Sequence, residues 1–159
     1  MDFQKHIRSI PDWPKKGILF RDIMPLLANK EAFTGVVKSI AKKYRNKKID
    51  YVAAVEARGF ILGAAVAGRL GVGFVPIRKK GKLPYKTKSV TYDLEYGKDT
   101  IQVQSDAFEK GSRILLIDDL LATGGTMRAA CRLIEKLGGK IVAVAFLIEL
   151  KDLNGRKKI

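Results

Sequence analysis

Three short apolar runs limit most strongly what this chain can fold into. They are residues 51–56 (YVAAVE), 113–117 (RILLI) and 141–150 (IVAVAFLIEL). Each is too short for an ordinary helix and too continuously apolar for a strand with one wet face. Such runs suit parallel strands buried on both sides. A fourth strand is expected at 72–79, holding Phe74, Val75 and Ile77. Between the runs the period changes. In residues 31–46, Phe33, Val36, Val37, Ile40, Ala41 and Tyr44 recur at three- and four-residue steps, which is one buried helix face. Asn29 is placed to cap that helix. Residues 59–70 read as a helix rich in small side chains, closed by Gly71. Residues 126–137 read as another, with Ala129, Ala130, Leu133, Ile134 and Leu137 on one face and Gly138 and Gly139 behind it. Strand, helix, strand, repeated, predicts an α/β chain: a central, mostly parallel sheet flanked by helices.

Ligands of such sheets bind beyond the C-terminal ends of the strands. The loops expected there are 56–59, 79–88 and 118–126, so they should meet around one cleft. The 79–88 stretch is basic and carries Gly81 and Pro84. Residues 91–96 and 100–104 flank Gly97, Lys98 and Asp99 as an expected hairpin. Residues 1–30 contain Pro11, Pro14 and Pro25 and read as a short helix, an irregular loop and a brief extended piece at 18–21. No repeat or linker divides the chain, and 159 residues suit one domain.

Lysine and arginine number 31 against 16 acids, a formal charge of +15. That balance favours anionic partners, phosphorylated metabolites among them, but does not choose between them and a solvated surface. No apolar stretch reaches the roughly 20 residues that span a bilayer. The single cysteine, Cys131, allows no internal disulfide, so a cytoplasmic location is expected. Cys131 reads as a small buried residue of its helix, and His6 as structural.

The segment with chemical content is 114–126 (ILLIDDLLATGGT). An apolar strand leads into two adjacent carboxylates, then into Ala-Thr-Gly-Gly-Thr at a helix start. Thr123, Gly124, Gly125 and Thr126 combine free backbone N–H groups, two hydroxyls and no bulk, a cradle for a phosphate dianion. Asp118 and Asp119 are suited instead to accepting hydrogen bonds from a neighbouring diol. Phosphate at one end and diol at the other describes a ribose 5-phosphate. A P-loop is excluded because no GK[ST] follows, and GxGxxG is absent.

This segment resembles the phosphoribosyl pyrophosphate (PRPP) motif of type I phosphoribosyltransferases. The resemblance implies that fold, with Asp118 and Asp119 on the ribose hydroxyls and Ala122, Thr123, Gly124, Gly125 and Thr126 on the 5-phosphate. Three further segments resemble the adenine-specific members. In 17–23 (GILFRDI), Phe20 would stack on the purine while backbone groups of Leu19 and Arg21 read its edge. In 55–60 (VEARGF), Ala57 and Arg58 would bind pyrophosphate, with a non-proline cis peptide near them. In 78–84 (RKKGKLP) and 92–97 (YDLEYG), Arg78 and Lys82 would hold pyrophosphate while Glu95 and Tyr96 close over the reaction centre.

The resemblance thus implies a single domain: a hood at about 1–30, a core at about 31–159 and a mobile catalytic loop at about 79–104. It implies a pentosyltransferase that joins adenine to PRPP, giving AMP and diphosphate. Arg58, Glu95 and Tyr96 would be catalytic, with Glu95 in the acid–base role. Mg²⁺ would arrive on PRPP, touching Asp118 and Asp119 at most through water. A homodimer is implied, without membrane attachment. The competing readings are a phosphoribosyltransferase for another base and a PRPP-sensing regulator that binds nucleic acid. The second is disfavoured because only about 50 residues precede the first buried strand.

Overall fold

The computed structural model describes residues 2–93 and 97–159. A short hairpin opens it, β1 (Arg8–Pro11) against β2 (Leu19–Asp22), followed by the helices α1 (Met24–Ala28) and α2 (Lys30–Tyr44). Then come β3 (Tyr51–Val55), α3 (Arg58–Leu70), β4 (Gly73–Lys79), the antiparallel pair β5 (Thr87–Asp93) and β6 (Lys98–Gln104), β7 (Arg113–Leu121), α4 (Gly125–Lys136) and β8 (Lys140–Glu149). The main sheet has the order β5-β6-β4-β3-β7-β8. β4, β3, β7 and β8 run parallel, and β6 joins antiparallel to β4. The fold is the mostly parallel α/β sheet that the apolar runs predict.

Both faces of that sheet are covered, which is why its strands are apolar without alternation. Ala53, Val55, Ile114 and Leu116 join a core with Met127, Ala130, Leu133 and Ile134 of α4. The intervening Val52, Leu115 and Ile117 join a second core with Val36 of α2 and Leu62 and Val66 of α3. Each such aliphatic side chain contributes about 1.5–3 kcal/mol when fully buried. The Asn29 side chain caps α2, its Oδ1 accepting from the Ala32 N–H at 2.9 Å.

Four expectations need correction. β7 does not stop at Ile117 but pairs with β8 as far as Leu121↔Glu149, so Asp118 and Asp119 are strand residues. Aspartate is a poor strand former, and the strand was expected to end at the first one. The long apolar β8 supplies a ladder partner that overrides this preference. The extended piece at Leu19–Asp22 is one arm of a hairpin whose other arm, Arg8–Pro11, carries no alternating pattern. β5 begins at Thr87, inside the stretch expected to be loop. Cys131 is only partly buried against the α4 core, although burial and Glu135 still push its thiol up to about 11. No helix among the described residues is long and apolar enough to cross a membrane.

Candidate active site

The strand order turns at β3: the chain continues outward to β4 on one side and later inserts β7 on the other. Such a switch point opens a crevice beyond the strand ends. The start of α3 and the end of β7 meet there. Gly59 makes the contact close, because a Cβ on it would lie 2.7 Å from Asp118 Oδ1.

At the end of β7 the residues 122–126 turn into α4, lining a pocket of about 90 Å³ with Asp118. That is room for one small group rather than a whole ligand, whose pockets run to about 300 Å³ or more. No side chain caps α4, and its first turn holds no acid. The first N–H groups of a helix have no partner within it. Here they and the partial positive charge they carry are left for an anion. Ala122, Thr123, Gly124, Gly125 and Thr126 are therefore gathered as a cradle. The Thr126 hydroxyl donates to the Tyr92 oxygen at 3.2 Å, and Tyr92 in turn donates to Asp99 at 3.4 Å. This joins the cradle to the β5–β6 hairpin.

The two aspartates are not equivalent. Asp119 is 5% exposed, with Oδ2 2.9 Å from Arg58 Nε. The pair is close but not aligned, so Oδ2 has no hydrogen-bond donor among the described residues. Asp118 accepts the Asp119 N–H at 2.9 Å. Burial, then the Asp119 charge, pushes the Asp118 carboxyl up to about 8, against the pull of Arg58.

The sign of that shift gives a pH prediction. From about pH 4 to pH 8 the folded chain keeps a proton that the unfolded chain has released, so Asp118 costs increasing stability as pH rises. The stability advantage of Asp118→Asn over the wild type should therefore grow between pH 5 and pH 8, by at most about 1.4 kcal/mol per unit. Urea unfolding at the two pH values checks this, and parallel pH profiles would contradict it.

Arg58 connects three parts of the site. Beyond Asp119, it donates to the Arg21 carbonyl at 3.3 Å, and its guanidinium lies 5.0 Å from the Phe20 ring centre. Phe20 is half-buried and meets Trp13 edge-on at 4.3 Å. Leu19 is 47% exposed. Arg58 thus links the hairpin residues Phe20 and Arg21 to Asp119. The peptide between Glu56 and Ala57 is cis, the non-proline cis bond expected near Ala57 and Arg58.

Arg78 is held by Glu56, with Nε and Nη2 each 3.3 Å from one of its carboxylate oxygens, and it donates to the Lys82 carbonyl at 3.2 Å. Glu56 also accepts the Lys79 N–H at 2.6 Å. Lys82 itself is exposed. Glu95 and Tyr96 lie outside the described residues. No sequence pattern marks Glu56, Tyr92 or Trp13 for a role in the site. Glu56 and Tyr92 lie inside the quoted motifs, but no spacing tells that one acid will hold Arg78 or that one phenol will reach Thr126.

Residues 25–159 match the family model of the phosphoribosyl transferase domain. The adenine phosphoribosyltransferase of Brachyspira hyodysenteriae is 55% identical over 159 residues, covering 100% of this chain and 94% of the relative. The chain belongs to the adenine phosphoribosyltransferases. The family's structures agree. The crystal structure of the Thermoanaerobacter pseudethanolicus adenine phosphoribosyltransferase has a TM-score of 0.96 at 52% identity, covering 99% of this chain and 91% of that one. The Saccharomyces cerevisiae adenine phosphoribosyltransferase has a TM-score of 0.95 at 38% identity, covering 99% and 92%. It was solved with adenine and an imino-altritol bisphosphate.

Proposed function

We propose that this chain transfers the phosphoribosyl group of PRPP to adenine, releasing AMP and diphosphate. The carrying observation is the uncapped start of α4 beside Asp118 and Asp119, since no other part of the described site offers a phosphate cradle next to sugar-hydroxyl acceptors. Residues 122–126 take the 5-phosphate, and Asp118 and Asp119 take the ribose hydroxyls. The β1–β2 hairpin acts as the hood: Phe20 stacks on the base, a contact worth about 1–3 kcal/mol. Backbone groups of Leu19 and Arg21 read the base edge.

The reaction breaks C1–O and forms C1–N9 with inversion, through an oxocarbenium-like transition state. Negative charge gathers on the departing diphosphate, and Ala57, Arg58, Arg78 and Lys82 supply the stabilising donors. Both arginines keep their carboxylate partner, Asp119 or Glu56, and turn their remaining N–H groups to the diphosphate oxygens. The stretch between β4 and β6, with Glu95 and Tyr96, serves as the lid that excludes water from the cationic sugar, while β6 itself is anchored in the core by Ile101 and Val103.

Asp118 and Asp119 offer hard oxygens, one without an aligned donor, and so suit a water-mediated contact to Mg²⁺. Among the described residues no three His, Cys, Asp or Glu side chains group to hold a metal. Mg²⁺ would then arrive on the donor, and Asp118 and Asp119 are the residues that would meet it through water. When bound, Mg²⁺ supplies charge neutralisation on the diphosphate. A homodimer in the cytoplasm is the assembly and location we propose, with light scattering as the check on the first.

Diphosphate release measured with PRPP and, in turn, adenine, guanine, hypoxanthine, xanthine and orotate tests the reading. Release with adenine alone is expected. Release with another base and not with adenine would overturn it.

A further inference from the structure

We infer that the turn after β8, through Gly155, is a positioning element for the phosphate loop; this rests on the proposed reading that residues 122–126 hold the 5-phosphate. The segment 153–156 (LNGR) is distant in sequence from that loop, yet it forms the loop's floor. The Leu150 N–H donates to the Leu121 carbonyl at 2.9 Å, continuing the β7–β8 pairing to the edge of the loop. The chain then makes two short 3₁₀ turns, Lys151–Leu153 and Gly155–Lys158, with Asn154 at φ +51° between them. This delivers Gly155, buried, under Ala122 and Gly124.

The fit tolerates no side chain on either strand of the contact. A Cβ on Gly155 would fall onto the Ala122 carbonyl oxygen and stand 3.1 Å from the Gly124 nitrogen. A Cβ on Gly124, whose φ of +81° already suits glycine, would lie 2.5 Å from the Gly155 carbonyl oxygen. The two backbones therefore interlock, and each fixes the height of the other. Outside the contact, Arg156 Nε donates to Glu149 Oε1 at 2.7 Å and ties the turn to the end of β8. Gly155 lines neither the cradle pocket nor the α3 contact, so its influence on ligand passes through Ala122 and Gly124. The cradle works by the aim of a few N–H groups, and misplacing a positioned group by about 1 Å is enough to cost about 100-fold.

The test compares wild type, Gly155→Ala and Arg156→Gln, with Gly68→Ala as a control because a Cβ there meets nothing within 4 Å. Steady-state KM values for PRPP and adenine are measured, together with calorimetric Kd values for AMP and ribose 5-phosphate and a thermal melt. For Gly155→Ala the PRPP KM and both Kd values should rise about tenfold or more, while the adenine KM stays within about twofold. Arg156→Gln should show the same split at about threefold, and Gly68→Ala no split. A PRPP KM within about twofold of wild type in Gly155→Ala would overturn the inference, as would an equal rise for adenine. If Gly155→Ala does not fold, Arg156→Gln decides by the same criterion. A wild type inactive with every base would strike the proposed function alone, because the ribose 5-phosphate titration still reads the loop.

Discussion

Asp119→Asn is expected to lower kcat/KM for PRPP by about 100-fold or more. The substitution keeps the side chain's shape, so the loss reports charge rather than packing. Asp119 is nearly buried, and its partner Arg58 has a side chain only 27% exposed. Removing one member of a buried ion pair costs about 3–5 kcal/mol, because the other charge stays behind without compensation. That cost falls on folding stability; in the reaction, an Arg58 without its anchor is misplaced, and about 1 Å of misplacement is enough for about 100-fold. A thermal melt measures the stability loss separately. The loss in the reaction should appear as weaker PRPP use, since the same carboxylate is proposed to hold a ribose hydroxyl.

A double-mutant cycle with Arg58→Gln sharpens the result. If the pair acts as a unit, the double variant should be no worse than the worse single one. Asp118→Asn should cost less than Asp119→Asn, because Asp118, pushed up to about 8, is largely protonated at neutral pH before ligand binds. A loss below tenfold for Asp119→Asn would remove that residue from the sugar site.

Glu95→Gln is expected to lower kcat by about 100- to 10,000-fold, the usual reach of a positioned acid or base. The dissociation constant for PRPP should change by less than about threefold. Adenine loses a proton from nitrogen as the bond to C1 forms, and a carboxylate beside the base can take it or hold the reactive tautomer. The three carboxylates at the ends of β3 and β7 are already committed. Glu56 holds Arg78, Asp119 holds Arg58, and burial beside the Asp119 charge raises the Asp118 carboxyl. Glu95 follows β5, the strand whose Tyr92 reaches the phosphate cradle. Single-turnover kinetics, with PRPP binding measured by calorimetry, separates chemistry from affinity. An unchanged kcat would take Glu95 out of the mechanism.

The covalent order of residues was enough to specify the layers of this fold. Runs that are apolar on both faces can only be satisfied between two coats of helices, and the four parallel strands stand where those runs predict. The same holds for the loop 122–126 proposed to cradle phosphate, whose residues are contiguous and need only a strand before them and a helix after. Tertiary structure alone decided how the charged groups are shared. That β7 continues through both aspartates depends on β8. That Arg58 spans Asp119, Arg21 and Phe20 depends on three segments meeting at a sheet switch point. That Gly155 packs against Ala122 and Gly124 depends on a close approach of backbones far apart in the chain. Periodicity encodes which face of an element is buried, because that is a property of neighbours in sequence. Which acid meets which base is set by distances across the folded crevice, and no local pattern carries that information.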